Sequence, residues 1–110
     1  MHAQAVESLS GKKLGILITH PPGHPCFHHA LQFAEAALAA GVTVYAYCLD
    51  DAVEGLDDER IPALQRSGLA LYACAYGARR RHLRPGTHVL LAGLSVLNDL
   101  LTATDRFICF

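Results

Sequence analysis

Cys74 stands where the run Leu69-Ala70-Leu71-Tyr72-Ala73 gives way to Ala75-Tyr76-Gly77-Ala78-Arg79-Arg80-Arg81. An apolar, strand-like segment ends there and a helix or tight turn begins. A thiol at such a junction faces the positive end of a helix dipole, which favours thiolate over thiol. Thiolate is the nucleophile of thiol–disulfide and sulfur-transfer chemistry. Arg79, Arg80, Arg81 and Arg84 form the one basic cluster of the chain. Singly, each is most simply part of a solvated helix face. As a group they can steer an acidic partner or hold an anion beside the thiolate. The competing reading of Cys74 is a small buried packing residue, the ordinary fate of a lone cysteine. Its position and the arginines beyond it favour the reactive reading.

A second group surrounds Cys26: His20, His24, His28 and His29. His24 and His28 are four apart and share a face if the helix begins early enough. With Cys26 they are of the types that bind zinc or copper. Their spacing matches no standard ligand pattern, and Pro21, Pro22 and Pro25 obscure the geometry. A structural or supporting role is therefore preferred to a metal site, and neither a metal nor an organic cofactor is expected. Cys26, Cys48 and Cys109 are by default packing residues. There is no C-x-x-C pair, and a cytosolic chain keeps its thiols reduced, so a disulfide framework is not expected. No dinucleotide fingerprint, Walker loop or G-x-S-x-G elbow occurs. Asp50, Asp51, Asp57 and Asp58 read as a solvated acidic loop.

The elements that must position these residues alternate. Leu14 to Ile18 reads as a fully buried strand, and Thr19 to His24 as a loop broken by prolines and a glycine. Pro25 suits the first turn of a helix, on which Phe27, Leu31, Ala34 and Leu38 recur at helical spacing until Gly41 closes it. Val42 to Cys48 is a second strand, Asp50 to Glu59 an acidic connection, and Pro62 to Ser67 a short helix ended by Gly68. Leu69 to Ala73 is a third strand and Thr87 to Leu91 a fourth. Leu94, Leu97, Leu100 and Leu101 form one face of a last helix, before a final strand over Arg106 to Phe110. Such alternation predicts an α/β fold: a single three-layer domain with a mostly parallel sheet of about five strands flanked by helices. Sites in such sheets lie at the carboxyl ends of the strands. All four cysteines are then expected on one sheet edge, with the His-rich loop beside Cys74.

The chain has 110 residues, is 52% hydrophobic and carries a net charge of -1. One domain is expected, over residues 12–110, preceded by a flexible extension over residues 1–11. The charge argues against bulk binding to nucleic acid or membrane. No apolar run is long enough to span a bilayer, and the polar N-terminus lacks a signal-peptide core, so a cytoplasmic location is expected.

Three segments, in this order, resemble the DsrE/DsrF-type family, with its TusD- and YchN-type members. They are Ile18-Thr19-His20-Pro21-Pro22-Gly23 before an Ala-rich helix and Gly41-Val42, then Cys74-Ala75-Tyr76-Gly77-Ala78-Arg79-Arg80, then Ala92-Gly93-Leu94-Ser95 leading to Thr104-Asp105-Arg106-Phe107. The resemblance implies a sulfur-relay protein. The cysteine matching Cys74 would accept a sulfane sulfur and pass it to a partner protein's cysteine, in tRNA thiolation or sulfur oxidation. It also implies a homo- or hetero-oligomer, with hexamers the family's habit. Two features depart from the family pattern: the His-rich loop around Cys26, and Tyr76 in place of a small residue. His24, Cys26, His28, Arg79 and Arg80 are the candidates to stabilise the anionic persulfide or dock a partner. A reading from another class is a non-catalytic oligomeric or metal-binding subunit using the His-rich loop and the clustered cysteines. A purely structural subunit is a third.

Overall fold

Lys13–Ile18 forms β1, an apolar strand in which Leu14, Gly15, Ile16 and Ile18 are buried. Pro25–Ala39 forms α1, with Phe27, Ala30, Leu31 and Ala34 on its buried face. Thr43–Cys48 is β2, Asp50–Gly55 a 3-10 helix, Ile61–Arg66 α2, and Ala70–Cys74 β3. Ala75–Arg80 is α3, Leu90–Ala92 β4, Leu94–Ala103 α4, and Arg106–Cys109 β5. The computed structural model describes residues 9–110. Of the extension expected over residues 1–11, residues 1–8 lie outside the described residues. The Gly11 N–H donates to Gly41 O at 3.1 Å and so ties the chain to the end of α1.

The five strands are all parallel, in the order β4-β3-β2-β1-β5. From β1 to β4 the chain steps across the sheet in one direction. Right-handed crossovers therefore put α1, α2 and the 3-10 helix on one face. The link from β4 to β5 returns across the sheet and places α4 on the other. Two apolar clusters record these two faces. The larger joins Ile16, Ile18, Val44, Ala46, Cys48, Leu71 and Ala73 to Phe27 and Leu31 of α1. The smaller joins Tyr47 and Cys74 to Leu100 of α4, with Leu17, Tyr72 and Leu97 against it.

Three helices end in the same way. After α1 the N–H groups of Gly41 and Val42 return to Leu38 O and Ala37 O, and after α2 those of Gly68 and Leu69 return to Gln65 O and Leu64 O. After α3 the N–H groups of His82 and Leu83 return to Arg79 O and Ala78 O. Each is a Schellman closure, which needs a left-handed residue. Gly41 and Gly68 supply it freely at φ 83° and 111°; His82 adopts φ 57° with a side chain attached.

Four expectations are corrected. The fourth strand is confined to Leu90–Ala92, because the Val89 N–H turns back to Gly86 O and the Arg84-Pro85-Gly86 segment delays the extended backbone. The leucines of α4 do not share a buried face: only Leu100 is buried, and Leu94 and Leu101 are exposed. Cys109, by default a packing residue, is exposed in the single chain, on the edge strand β5. The acidic connection is also more ordered than a loop, since Ala52, Val53 and Leu56 are buried beneath its carboxylates.

Candidate functional site

Cys74 ends β3 and is the N-cap of α3, with extended backbone at φ -65° and ψ 115°. Its Sγ accepts the Gly77 N–H at 3.3 Å. The first amides of a helix have no partner within it, and a capping side chain normally supplies an oxygen. Here sulfur takes that place. An anion on Sγ meets a fixed N–H donor, a local effect that does not depend on the small dipole of a six-residue helix. The thiol is recessed, at 6% exposure for the residue.

Tyr47 completes the surroundings of this thiol, and sequence reasoning did not single it out. Its ring is wholly buried in β2, beside Cys74 and Leu100, and its hydroxyl donates to Ala92 O at 3.0 Å. Burial, then the charge and hydrogen bond of Cys74, push the hydroxyl up to about 12. Tyr47 is therefore a neutral donor at physiological pH. The signal available in the sequence was a tyrosine inside an apolar strand, since a buried phenol needs a polar partner.

The arginines divide. Arg79 and Arg80 occupy the last turn of α3, the end away from Cys74. Arg80 leans on Tyr76, with its guanidinium carbon 6.0 Å from the ring centroid. Arg81 pairs with Asp51 at 2.8 Å and Glu54 at 3.7 Å. The structure thus assigns Arg81 to pinning α3 on the 3-10 helix, and leaves the exposed Arg79 and Arg80 facing solvent.

The His-rich loop lies on the same sheet edge as Cys74, since it follows β1 and all strands are parallel. Along that edge the loop and the Cys74 thiol belong to strands two positions apart. Strand β2 intervenes, which separates β1 from β3 by roughly 10 Å. The faces differ too: α1, which carries Cys26, packs on the Cys48 face, whereas Cys74 packs on the α4 face. Within the loop, His20 and His24 stack with ring centroids 4.0 Å apart, and Cys26 lies against them. His24 is the N-cap of α1, its Nδ1 accepting the Cys26 N–H at 3.0 Å. His28 turns away to Arg60, Nδ1 to Nη1 2.6 Å, and Arg60 is held by Asp58 at 2.9 Å. The Arg60 guanidinium in turn lowers Asp58 below the ordinary aspartate range.

The four thiols are unlike. Cys48 is buried, and burial pushes it up to about 12. Cys109 is exposed and Cys26 half-buried. Cys109 pairs in register with Leu17, and so points to the same face as Cys74 but three strands away.

An all-parallel α/β sheet with a capping cysteine at its carboxyl edge defines a small domain built around a thiol. The sequence places it more narrowly: the DsrE/DsrF-like family matches residues 12–110, and the chain belongs to that family. The sulfurtransferase TusD homolog of Pseudomonas aeruginosa is 31% identical over 126 aligned positions, covering 89% of this chain and 96% of the relative. The crystal structure of the YchN protein from E. coli superposes with a TM-score of 0.82 at 16% identity, over 90% of this chain and 99% of that one. The second likeness is one of fold. The chain is thus a homologue of a TusD-type sulfurtransferase. Among the described residues, no helix is long and apolar enough to cross a membrane.

Proposed function

We propose that this protein is a cytoplasmic sulfur carrier whose Cys74 holds a persulfide between a donor protein and an acceptor protein. The observation that carries this reading is the Cys74 Sγ in the N-cap of α3, 3.3 Å from the Gly77 N–H. In the step, the Cys74 thiolate attacks the terminal sulfur of a donor persulfide. A new S–S bond forms at Cys74, the donor's S–S bond breaks, and the donor leaves as a thiolate. The acceptor cysteine then repeats the attack on the Cys74 persulfide. Sulfane sulfur moves each time from one thiolate to another, so no external oxidant or reductant is consumed.

The Gly77 amide supplies a donor where negative charge rests, the neutral Tyr47 hydroxyl lies beside it with its proton on Ala92 O, and no cofactor is needed. A recessed thiol suits a carrier, because the added sulfur stands about 2 Å beyond Sγ and is the atom the acceptor attacks. Arg79 and Arg80, free of the sulfur site, are candidates to dock an acidic partner. His28 is engaged by Arg60 and His24 caps α1, so the sulfur-transfer step is assigned to Cys74 and Gly77. The pathway served is tRNA thiolation or sulfur oxidation.

The carrier works as an oligomer. Leu90 and Leu94 are each 59% exposed, Leu101 is exposed two turns along α4 from Leu94, and Leu90, in register with Tyr72, points to the α4 side of the sheet. A second copy or a homologous subunit covering this face would close the α4 side of the Cys74 cluster. The test of carriage is cyanolysis. Protein loaded from a sulfane donor should release close to one equivalent of thiocyanate per chain; release no greater than from unloaded protein contradicts the proposal.

A further inference from the structure

The cluster at the start of α1 has chemistry of its own. We propose that His20, His24 and Cys26 form a binding site for a thiophilic d10 cation of the Zn2+ class, separate from the Cys74 site. One ligand atom from each of the three residues lies within 4.8 Å of the other two. That is wider than the ligand separations of a tetrahedral zinc site, so the side chains must rotate inward to close on an ion. Two imidazoles and one thiolate are a borderline-soft set suited to such an ion.

Three further observations point to a ligand. The imidazoles of His20 and His24 stack at 4.0 Å with 24° between planes. The Nδ1 of His20 is buried without a hydrogen-bond partner, a condition native structures seldom leave unexplained. The loop is also held in place before any ion arrives. Thr19 is anchored by its N–H and hydroxyl to Phe110 O, at 3.0 and 3.3 Å, and the His24 N–H turns back to Pro21 O at 2.9 Å. The prolines at 21, 22 and 25 restrict the remainder.

The ion would exchange for one existing contact. His24 Nδ1 accepts the Cys26 N–H, so its neutral tautomer carries the proton on Nε2. Binding through either nitrogen gives up that cap, and metal–ligand bonds replace it. Three protein ligands leave a fourth tetrahedral position open, the arrangement of a site that accepts water, a substrate or a partner's side chain. His28 is committed to Arg60 and is not among the ligands.

The test uses the full chain prepared without a histidine tag, titrated with Zn2+ against a chromophoric chelator, and separately with Co2+. The expected result is one Zn2+ per chain, with a thiolate-to-cobalt charge-transfer band and the visible bands of tetrahedral cobalt. Cys26→Ser and His24→Ser should each weaken Zn2+ binding by roughly tenfold or more. The serine introduced by His24→Ser retains a capping oxygen, so lost affinity with an unchanged melting temperature reports a lost ligand and not a frayed helix. Cys74→Ser should leave affinity unchanged. Wild-type protein without stoichiometric binding, or affinity that survives Cys26→Ser, overturns the proposal. Because the carrier reading is tested at Cys74 and this one at Cys26, either fails without the other.

Discussion

Cys48 and Cys74 end neighbouring parallel strands on one sheet edge, yet their thiols leave the sheet on opposite faces. Cys48 pairs in register with Ala73, and both belong to the large cluster under α1; one residue further, Cys74 turns to the α4 side. The period of two along a strand therefore separates a sealed thiol from the one that caps α3.

The sealed thiol should be inert and should make the fold sensitive to alkali. Cys48 is raised from 9.0 to about 12 by burial. Unfolding releases it to its ordinary value, so its stabilising contribution is complete below pH 9 and is lost as pH rises toward 12. The full effect is on the order of 4 kcal/mol. Tyr47, raised from 10.0 to about 12, acts in the same direction. Iodoacetamide at neutral pH should leave Cys48 unlabelled in folded protein and label it in urea, while urea melts should show stability falling between pH 9 and 12. Labelling of Cys48 in the folded state would contradict its assigned burial.

Tyr47→Phe removes the hydroxyl that bonds Ala92 O beside the Cys74 sulfur. It should cost about 1 kcal/mol of stability, since Ala92 O loses its donor. It should also shorten the lifetime of the persulfide several-fold, read as thiocyanate recovered at increasing times after loading. Lost stability with unchanged persulfide lifetime would restrict Tyr47 to packing.

His82→Gly should stabilise the protein. A side chain at φ 57° is strained where Gly41 and Gly68 perform the same closure without cost. The expected gain is about 0.5–1 kcal/mol, the left-handed strain relieved less the extra freedom glycine has when unfolded. Urea melts of both proteins at one fixed concentration measure it, and a loss of stability would show that the His82 side chain makes a stabilising contact of its own.

Much of this was legible in the sequence. β1, α1, β2 and β3 are buried runs or faces whose pattern is local, and the positions of Gly41 and Gly68 follow from helix closure. The position of Cys74 at a strand-to-helix junction was legible for the same reason. What escaped depended on contacts distant in sequence. The face Cys74 occupies is set by strand parity and by the return of α4 across the sheet. Tyr47 reaches the site through its bond to Ala92, and His28 is drawn off by Arg60, 32 residues away. The leucines of α4 have the pattern of a buried face, and that pattern cannot say whether the cover comes from the same chain.

Leu94→Glu tests that cover. Leu94 is exposed in the single chain, so the substitution should leave folding intact by circular dichroism. Placed in an apolar interface it buries an unpaired charge, which should shift the assembly to smaller species. Light scattering at micromolar concentration should find wild type oligomeric and the variant reduced in mass. A monomeric wild type would contradict the interface.

The most direct test of the carrier is intact mass after exposure to a sulfane donor, for wild type, Cys74→Ser and Cys26→Ser. One added sulfur atom is expected on wild type and on Cys26→Ser, and none on Cys74→Ser. Sulfur retained by Cys74→Ser and lost by Cys26→Ser would contradict that expectation, and would move the carrier to the His-rich loop.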